Sequence, residues 1–227
     1  MKPVKYIDLN VKDYTETYHF QQDIQNRLID AKIAGQNSGD LSCLIFVEHP
    51  HVYTLGKSGK ENNLLINQQF LSSIGATFYK TDRGGDITYH GPGQLVGYPV
   101  FDLDVLGLGV KSYIHNLEES IISALKEFAI KATRLDGATG VWIEPESGNP
   151  TRKICAIGVK VSRGVTMHGF ALNVNTDLRY FSYINPCGFT DKQVTSIEKE
   201  TGSGANMKLV KQILSQKIAD RFSFKLI

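Results

Sequence analysis

Apolar and polar positions alternate over residues 4–9, which predicts an opening strand. The period then changes. Ile24, Leu28 and Ala31 share one helical stripe, Asp13 and Glu16 have the spacing of a capping box, and Gly35 supplies a stop. A helix is therefore expected to about residue 34. A polar turn over 36–40 leads to a short apolar run, 43–47, read as a buried strand. Residues 57–63 form a polar loop, 67–73 a helix and 77–80 a strand. Residues 95–101 read as another buried strand. Over 110–130, Ile114, Leu117, Ile121, Leu125 and Phe128 build a clear apolar helical face. Short strands are expected at 132–135 and 140–144, then a turn over 144–151. Two longer strands, 153–161 and 165–174, joined by Ser162-Arg163-Gly164, read as a hairpin. One or two helical turns are expected over 177–183 and a sharp loop over 185–188. A last helix is capped by Asn206, with Met207, Val210, Leu214 and Ile218 on one face. Hairpins mixed with long helices predict an α+β (mixed α/β) fold, with helices flanking a largely antiparallel or mixed sheet. With no repeat and no linker, residues 1–227 are read as a single domain.

Composition narrows the function classes. The chain of 227 residues is 41% hydrophobic and 21% charged, ordinary for a globular protein. The net charge of +2, with no run of five basic residues, argues against nucleic acid as a partner. Three cysteines, Cys43, Cys155 and Cys187, without a C-x-x-C pair, argue against a disulfide framework and against structural zinc. His49 and His51 lack a companion ligand at suitable spacing, so a structural or lining role is preferred and no metal is expected. No apolar signal core or bilayer-length run is present, so the expected address is the cytoplasm, without a membrane.

The most unusual stretch is Arg83-Gly84-Gly85-Asp86-Ile87-Thr88-Tyr89-His90-Gly91-Pro92-Gly93-Gln94. Four glycines beside so much polar chemistry mark a flexible polar loop where a ligand or another backbone comes close. The spacing fits neither a Walker loop nor a Rossmann fingerprint. Cys187 sits between Pro186 and Gly188 on a stiff corner. A nucleophilic thiol needs a base or a positive group nearby, whereas a lone cysteine is more commonly a buried hydrophobe. Cys43 and Cys155 fit the second description better than Cys187 does. Lys153 opens an apolar strand. Alternation puts Lys153, Cys155 and Ile157 on one face and Ile154, Ala156 and Gly158 on the other. Lys153 either reaches solvent at a strand end or is a partly desolvated amine able to trade protons. His168 is either a satisfied core imidazole or, given Gly169 beside it, part of a close backbone or ligand approach.

Taken together, these residues resemble the lipoyl(octanoyl) transferase family. The matching pieces are Glu48-His49-Pro50, Tyr53-Thr54-Leu55-Gly56, RGGDITYHGPGQLVGYP at 83–99, RKICAIGVKVSRGVTMHGFALNV at 152–174 and NPCG at 185–188. The resemblance spans about residues 4–200. It implies the fold of the biotin and lipoate protein ligase catalytic domains. It also implies transfer of an octanoyl group from octanoyl-acyl carrier protein to a lysine of lipoyl domains, in lipoate biosynthesis. The acceptors implied are the lipoyl domains of 2-oxoacid dehydrogenase complexes and the glycine cleavage H protein, and no cofactor is implied. On this chain Cys187 becomes the nucleophile, carrying a thioester, and Lys153 its proton-transfer partner. Arg83, Gly84, Gly85, Asp86, Ile87, Thr88, Tyr89 and His90, with Ala156, Ile157, Gly158, Gly169, Phe170 and Ala171, become the substrate-binding lining. Two departures stand out: Cys155 where a small residue such as alanine is common, with a second, oxidisable thiol near the site expected from it, and His51 where proline is common. The alternatives are an ATP-dependent lipoate ligase on the same fold, for which Cys187 has no task and the chain no room for an accessory domain, and a non-catalytic acyl-binding module, which has no need of both Lys153 and Cys187.

Overall fold

A computed structural model describes residues 2–144, 150–185 and 192–227. In chain order the strands and helices are β1 (Lys2–Val11), α1 (Tyr14–Ile33), β2 (Cys43–Glu48), β3 (Val52–Leu55), α2 (Gln68–Ser73), β4 (Thr77–Lys80), β5 (Ile87–His90) and β6 (Gln94–Val100). Then come α3 (Leu103–Leu106), α4 (Val110–Lys126), β7 (Thr133–Leu135), β8 (Ala138–Ile143), β9 (Arg152–Ser162) and β10 (Val165–Asn173). A 3-10 segment over Leu178–Tyr183 precedes β11 (Gln193–Val194), α5 (Ile197–Thr201), α6 (Met207–Phe222) and β12 (Phe224–Leu226).

The larger sheet runs β12-β1-β2-β6-β10-β9-β8-β7, with β11 added in parallel along the start of β9. Its centre is antiparallel and its β12-β1-β2 edge is parallel, the mixed sheet expected. Both faces are covered, which explains why 43–47 is apolar without alternation. Leu44, Phe46, Leu95, Phe170 and Leu172 face α4 and α6, which contribute Tyr113, Leu117, Ile121, Leu125, Leu214 and Ile218. Cys43, Ile45, Val47, Val96, Tyr98 and Ala171 face the other way, onto Ile24 and Leu28 of α1. A second sheet, β4-β3-β5, has its own small core of Tyr53, Leu55, Leu71, Ile87, Tyr89 and Ile184.

Local chemistry sets most boundaries. Asp13 accepts the Thr15 and Glu16 amides at 2.8 and 3.2 Å and starts α1. The hairpin turns on Arg163 (φ 50°) and Gly164 (φ 78°), a two-residue left-handed turn that suits twisted strands. The structure differs from expectation in several places, and short elements such as β3, α3 and α5 were not foreseen. Helix α4 stops at Lys126, short of 130, because Ala129 takes the left-handed conformation (φ 57°) and the Ile130 amide reaches back to Leu125 O at 3.1 Å. That is a Schellman ending built without glycine. Residues 87–90, read as part of a flexible loop, are strand β5 of the second sheet, paired in register with β3. The carboxyl-terminal strand β12, against β1, was not foreseen.

Candidate active site

Strand β9 carries an irregularity where it meets β8. Val141 pairs with Cys155, but the next residue, Trp142, pairs with Lys153. The extra residue in β9 is a bulge, which breaks alternation and re-aims the side chains before it. Lys153 accordingly lines a cleft of about 350 Å³ together with Ala156 and Gly158, the residues that strict alternation put on the opposite face. Cys155 instead is fully buried in the main core beside Ile154, and burial pushes its thiol well above the ordinary range. The oxidisable second thiol expected near the site is therefore corrected to an inert core residue. Burial likewise pushes the Cys43 thiol up to about 12.

The glycine-rich stretch forms the facing wall. Past the end of β8, the Val159 carbonyl of β9 accepts the Gly84 amide at 2.9 Å. Gly158 permits this approach, since a Cβ there would lie 2.8 Å from Gly84 O. The Arg83 guanidinium, almost buried, donates to Thr54 O at 2.6 Å, to Thr54 Oγ1 at 3.0 Å and to Gly84 O at 3.0 Å. Thr54 Oγ1 can then donate to His90 Nε2 at 3.4 Å. The other imidazole nitrogen, Nδ1, donates to Gln94 Oε1 at 2.8 Å, while Gln94 Nε2 donates to Asn173 Oδ1 at 2.9 Å. This donor order fixes the tautomer of His90 and the orientation of Gln94. Burial first, and then the neighbouring His49, lower His90 to about 3, so the imidazole is neutral at physiological pH. His49 is similar: its Nδ1 donates to Lys12 O at 2.7 Å, Tyr98 Oη donates to its Nε2 at 2.8 Å, and burial lowers it to about 4. Tyr14 stacks on His90 with ring planes 9° apart.

His168 closes one side. It has a left-handed backbone (φ 61°) inside a strand, costly for a non-glycine residue, and is 2% exposed. Its Nε2 donates to Asp82 Oδ1 at 2.8 Å, and Asp82 Oδ2 takes Lys160 Nζ at 2.6 Å. The hydrogen bond from His168 is the largest influence holding the Asp82 carboxyl well below the usual range.

Of the residues singled out in the sequence, Arg83, Gly85, Asp86, Ile87, Thr88, His90, Lys153, Ala156, Ile157, Gly158, Gly169, Phe170 and Ala171 all line this one cleft. Gly84 and Tyr89 do not. Gly84 stitches the stretch to β9, and Tyr89 points into the core of the second sheet, where its hydroxyl meets His51 Nδ1 at 2.7 Å. The reason is period two along β5: His90 and Thr88 face the cleft and Tyr89 faces away. Cys187 lies outside the described residues. The residues flanking its segment, Ile184 and Val194, both line the cleft, and Val194 pairs with Lys153. Sequence reasoning missed Tyr14, Gln94, Tyr98 and Asn173 as lining residues. Gln94 carried a signal, as the polar residue closing the glycine-rich stretch, and Asn173 follows Ala171 by two along β10, whereas Tyr14 is brought in by tertiary packing alone. Among the described residues no group of three or more His, Cys, Asp or Glu is placed to hold a metal ion. No described helix is long and apolar enough to cross a membrane.

The arrangement joins an amine, a buried guanidinium, a neutral imidazole and apolar walls from Val96, Ile157, Phe170 and Ala171 in one groove. Such a site suits an acyl chain with a reactive carbonyl at its mouth. Comparison with known proteins agrees. Residues 17–219 match the family model described as the lipoyl protein ligase A/B catalytic domain. Octanoyltransferase from Parabacteroides distasonis is 54% identical over 214 residues, covering 94% of this chain and 96% of that protein. Octanoyltransferase from Bacteroides fragilis is 53% identical over 211 residues, covering 93% and 94%. Among solved structures, the bipartite lipoate protein ligase of Thermoplasma acidophilum has the same fold, with a TM-score of 0.72 at 17% identity, covering 100% of this chain and 86% of that one. The chain belongs to the lipoyl protein ligase A/B catalytic-domain family, alongside its octanoyltransferases.

Proposed function

We propose that this octanoyltransferase works by a two-step thioester relay, with Cys187 as the acyl carrier and Lys153 as its proton partner. In the first step the Cys187 thiolate attacks the octanoyl thioester of an acyl carrier protein. A new carbon–sulfur bond forms, the old one breaks, and the carrier's thiolate leaves and takes the proton that Lys153 had drawn from the Cys187 thiol, which leaves Lys153 neutral. In the second step the amine of a lipoyl-domain lysine attacks the Cys187 thioester. The amine gives a proton to neutral Lys153, an amide bond forms, and the Cys187 thiolate is released. Thioester exchange keeps the carbonyl activated, so ATP has no part in the balance. The acceptors are lipoyl domains of 2-oxoacid dehydrogenase complexes and the glycine cleavage H protein. A free thiol nucleophile fits a reducing compartment such as the cytoplasm.

The observation that carries this reading is that Lys153 lines the cleft while pairing with Val194, just beyond the segment that contains Cys187. Apolar walls from Val96, Ile157, Phe170 and Ala171 suit the acyl chain. Burying its methylenes is worth about 0.8 kcal/mol each, several kcal/mol in all. The neutral His90 and the anchored Arg83 give one wall of the cleft a fixed polar character.

Mass spectrometry of the protein mixed with octanoyl-acyl carrier protein tests the relay. The wild type is expected to gain one octanoyl group on Cys187 without ATP and to pass it to an added lipoyl domain. A Cys187→Ser protein that still turns over at the wild-type rate, or an absolute need for ATP, would sink the reading.

A further inference from the structure

Lys153 is held by a seat that the reaction itself does not require. Its Nζ lies 4.4 Å from the ring centroid of Trp142, in cation–π geometry. The indole is almost wholly buried, and its Nε1 donates to Ala138 O at 2.8 Å, which fixes the ring plane. Ala138 itself lines the cleft. Between them, Gly140 adopts φ 125°, where a Cβ would lie 2.6 Å from Cys155 O and 3.5 Å from Lys153 Cε. Glu118, buried on α4, accepts the Gly140 amide at 2.9 Å and so holds β8 in this unusual shape. The bulge in β9 begins at the same place. Helix, bent strand, ring and bulge therefore converge on the stem and head of one lysine.

We infer that Trp142 is a positioning residue for Lys153, its ring face holding the ammonium at the cleft wall in a seat kept open by Gly140 and Glu118. The inference rests on the reading of Lys153 as the proton partner of the relay. The ring's negative face attracts the cation and holds the head of the side chain at the cleft wall. A neutral amine has less hold on the ring, so the contact loosens when the proton is lost and re-forms when one is taken up.

Trp142 is the single tryptophan of the chain, so its emission reports on this seat alone. The expected result is that Lys153→Met changes the intensity or maximum of Trp142 emission in the folded protein. Kinetically, Trp142→Leu is expected to lower kcat by about ten- to thirty-fold, the size of a desolvated cation–π contact, with the KM for the lipoyl domain unchanged. Trp142→Phe is expected to restore most of the rate. If Lys153→Ala is impaired but Trp142→Leu and Trp142→Phe both match the wild type, the seat is wrong and the relay stands. If Lys153→Ala is fully active, the role of Lys153 fails first. Should Trp142→Leu not fold, the emission comparison decides, and unchanged emission in Lys153→Met overturns the inference.

Discussion

Nε2 of His168 lies 2.8 Å from Oδ1 of Asp82, tying the second hairpin strand to the residue just before the glycine-rich stretch. Lys160 of the first hairpin strand holds the other carboxylate oxygen. Removing the carboxylate leaves a buried imidazole N–H without its acceptor. Asp82→Ala is expected to cost about 1–3 kcal/mol of unfolding free energy in urea titration. It should also raise the KM for the acyl donor, because the Arg83 wall loses its tether. Unchanged stability and KM would show that the clamp does not act as described.

Acid should weaken the fold through two histidines. Burial holds His49 near about 4 and His90 near about 3. In the unfolded chain both titrate near about 6.5. Between those values the unfolded state binds protons that the folded state refuses, so stability falls as pH drops from about 6.5 toward about 4. The slope reaches at most about 1.4 kcal/mol per pH unit for each histidine. Urea midpoints at a series of pH values measure it, and His90→Gln should flatten the curve. Equal stability at neutral pH and one to two units below would contradict the neutral assignment.

The close approach of Gly158 and Gly84 is directly testable. In Gly158→Ala the new methyl meets the Gly84 carbonyl, a backbone atom that cannot swing aside. The Arg83 wall must then move. We expect kcat/KM to fall by about ten- to a hundred-fold, as for other small displacements of positioning groups. Gly169→Ala, which meets the Gly97 carbonyl within the sheet, should act on stability instead, by about 1–3 kcal/mol. Thermal melts together with steady-state kinetics separate the two, and the reverse assignment of effects would be evidence against the geometry.

Thr54 is fully buried and links Arg83 to His90 through one hydroxyl. Thr54→Val keeps the shape and deletes the link. A lost hydrogen bond to a charged group predicts destabilisation of about 1.5–3 kcal/mol, with a matching fall in acylation rate. Wild-type behaviour by denaturation and by single-turnover acylation would remove this chain of donors from the account.

The elements that depend on local pattern were legible in the sequence. Ile114 through Leu125 announced α4, Ser162-Arg163-Gly164 announced the hairpin, and the run at 43–47 announced a buried strand. Most of the cleft lining was legible too, through the family's motifs. Features set by pairing across the chain were not. Nothing local shows that Ile87–His90 joins a second sheet, so Tyr89 was assigned to the wrong side. Nothing local shows that Trp142 pairs with Lys153, so alternation put the amine with Cys155 and away from Ala156. Tyr14 reaches the cleft from helix α1, with no motif to mark it.

The irregular pairing of β8 with β9 has a consequence for how this protein can change. Two-residue periodicity makes a strand's orientation a matter of odd and even counts, and the additional Ile154 switches the parity for everything before it. Excising that single residue would straighten the ladder, with Val141 still opposite Cys155 and Trp142 still opposite Lys153, and the amine would keep its side. A strand that kept Ile154 but paired it regularly with Trp142 would instead turn the amine toward the packed interior, and the enzyme would be silenced by arithmetic rather than by the loss of any functional group.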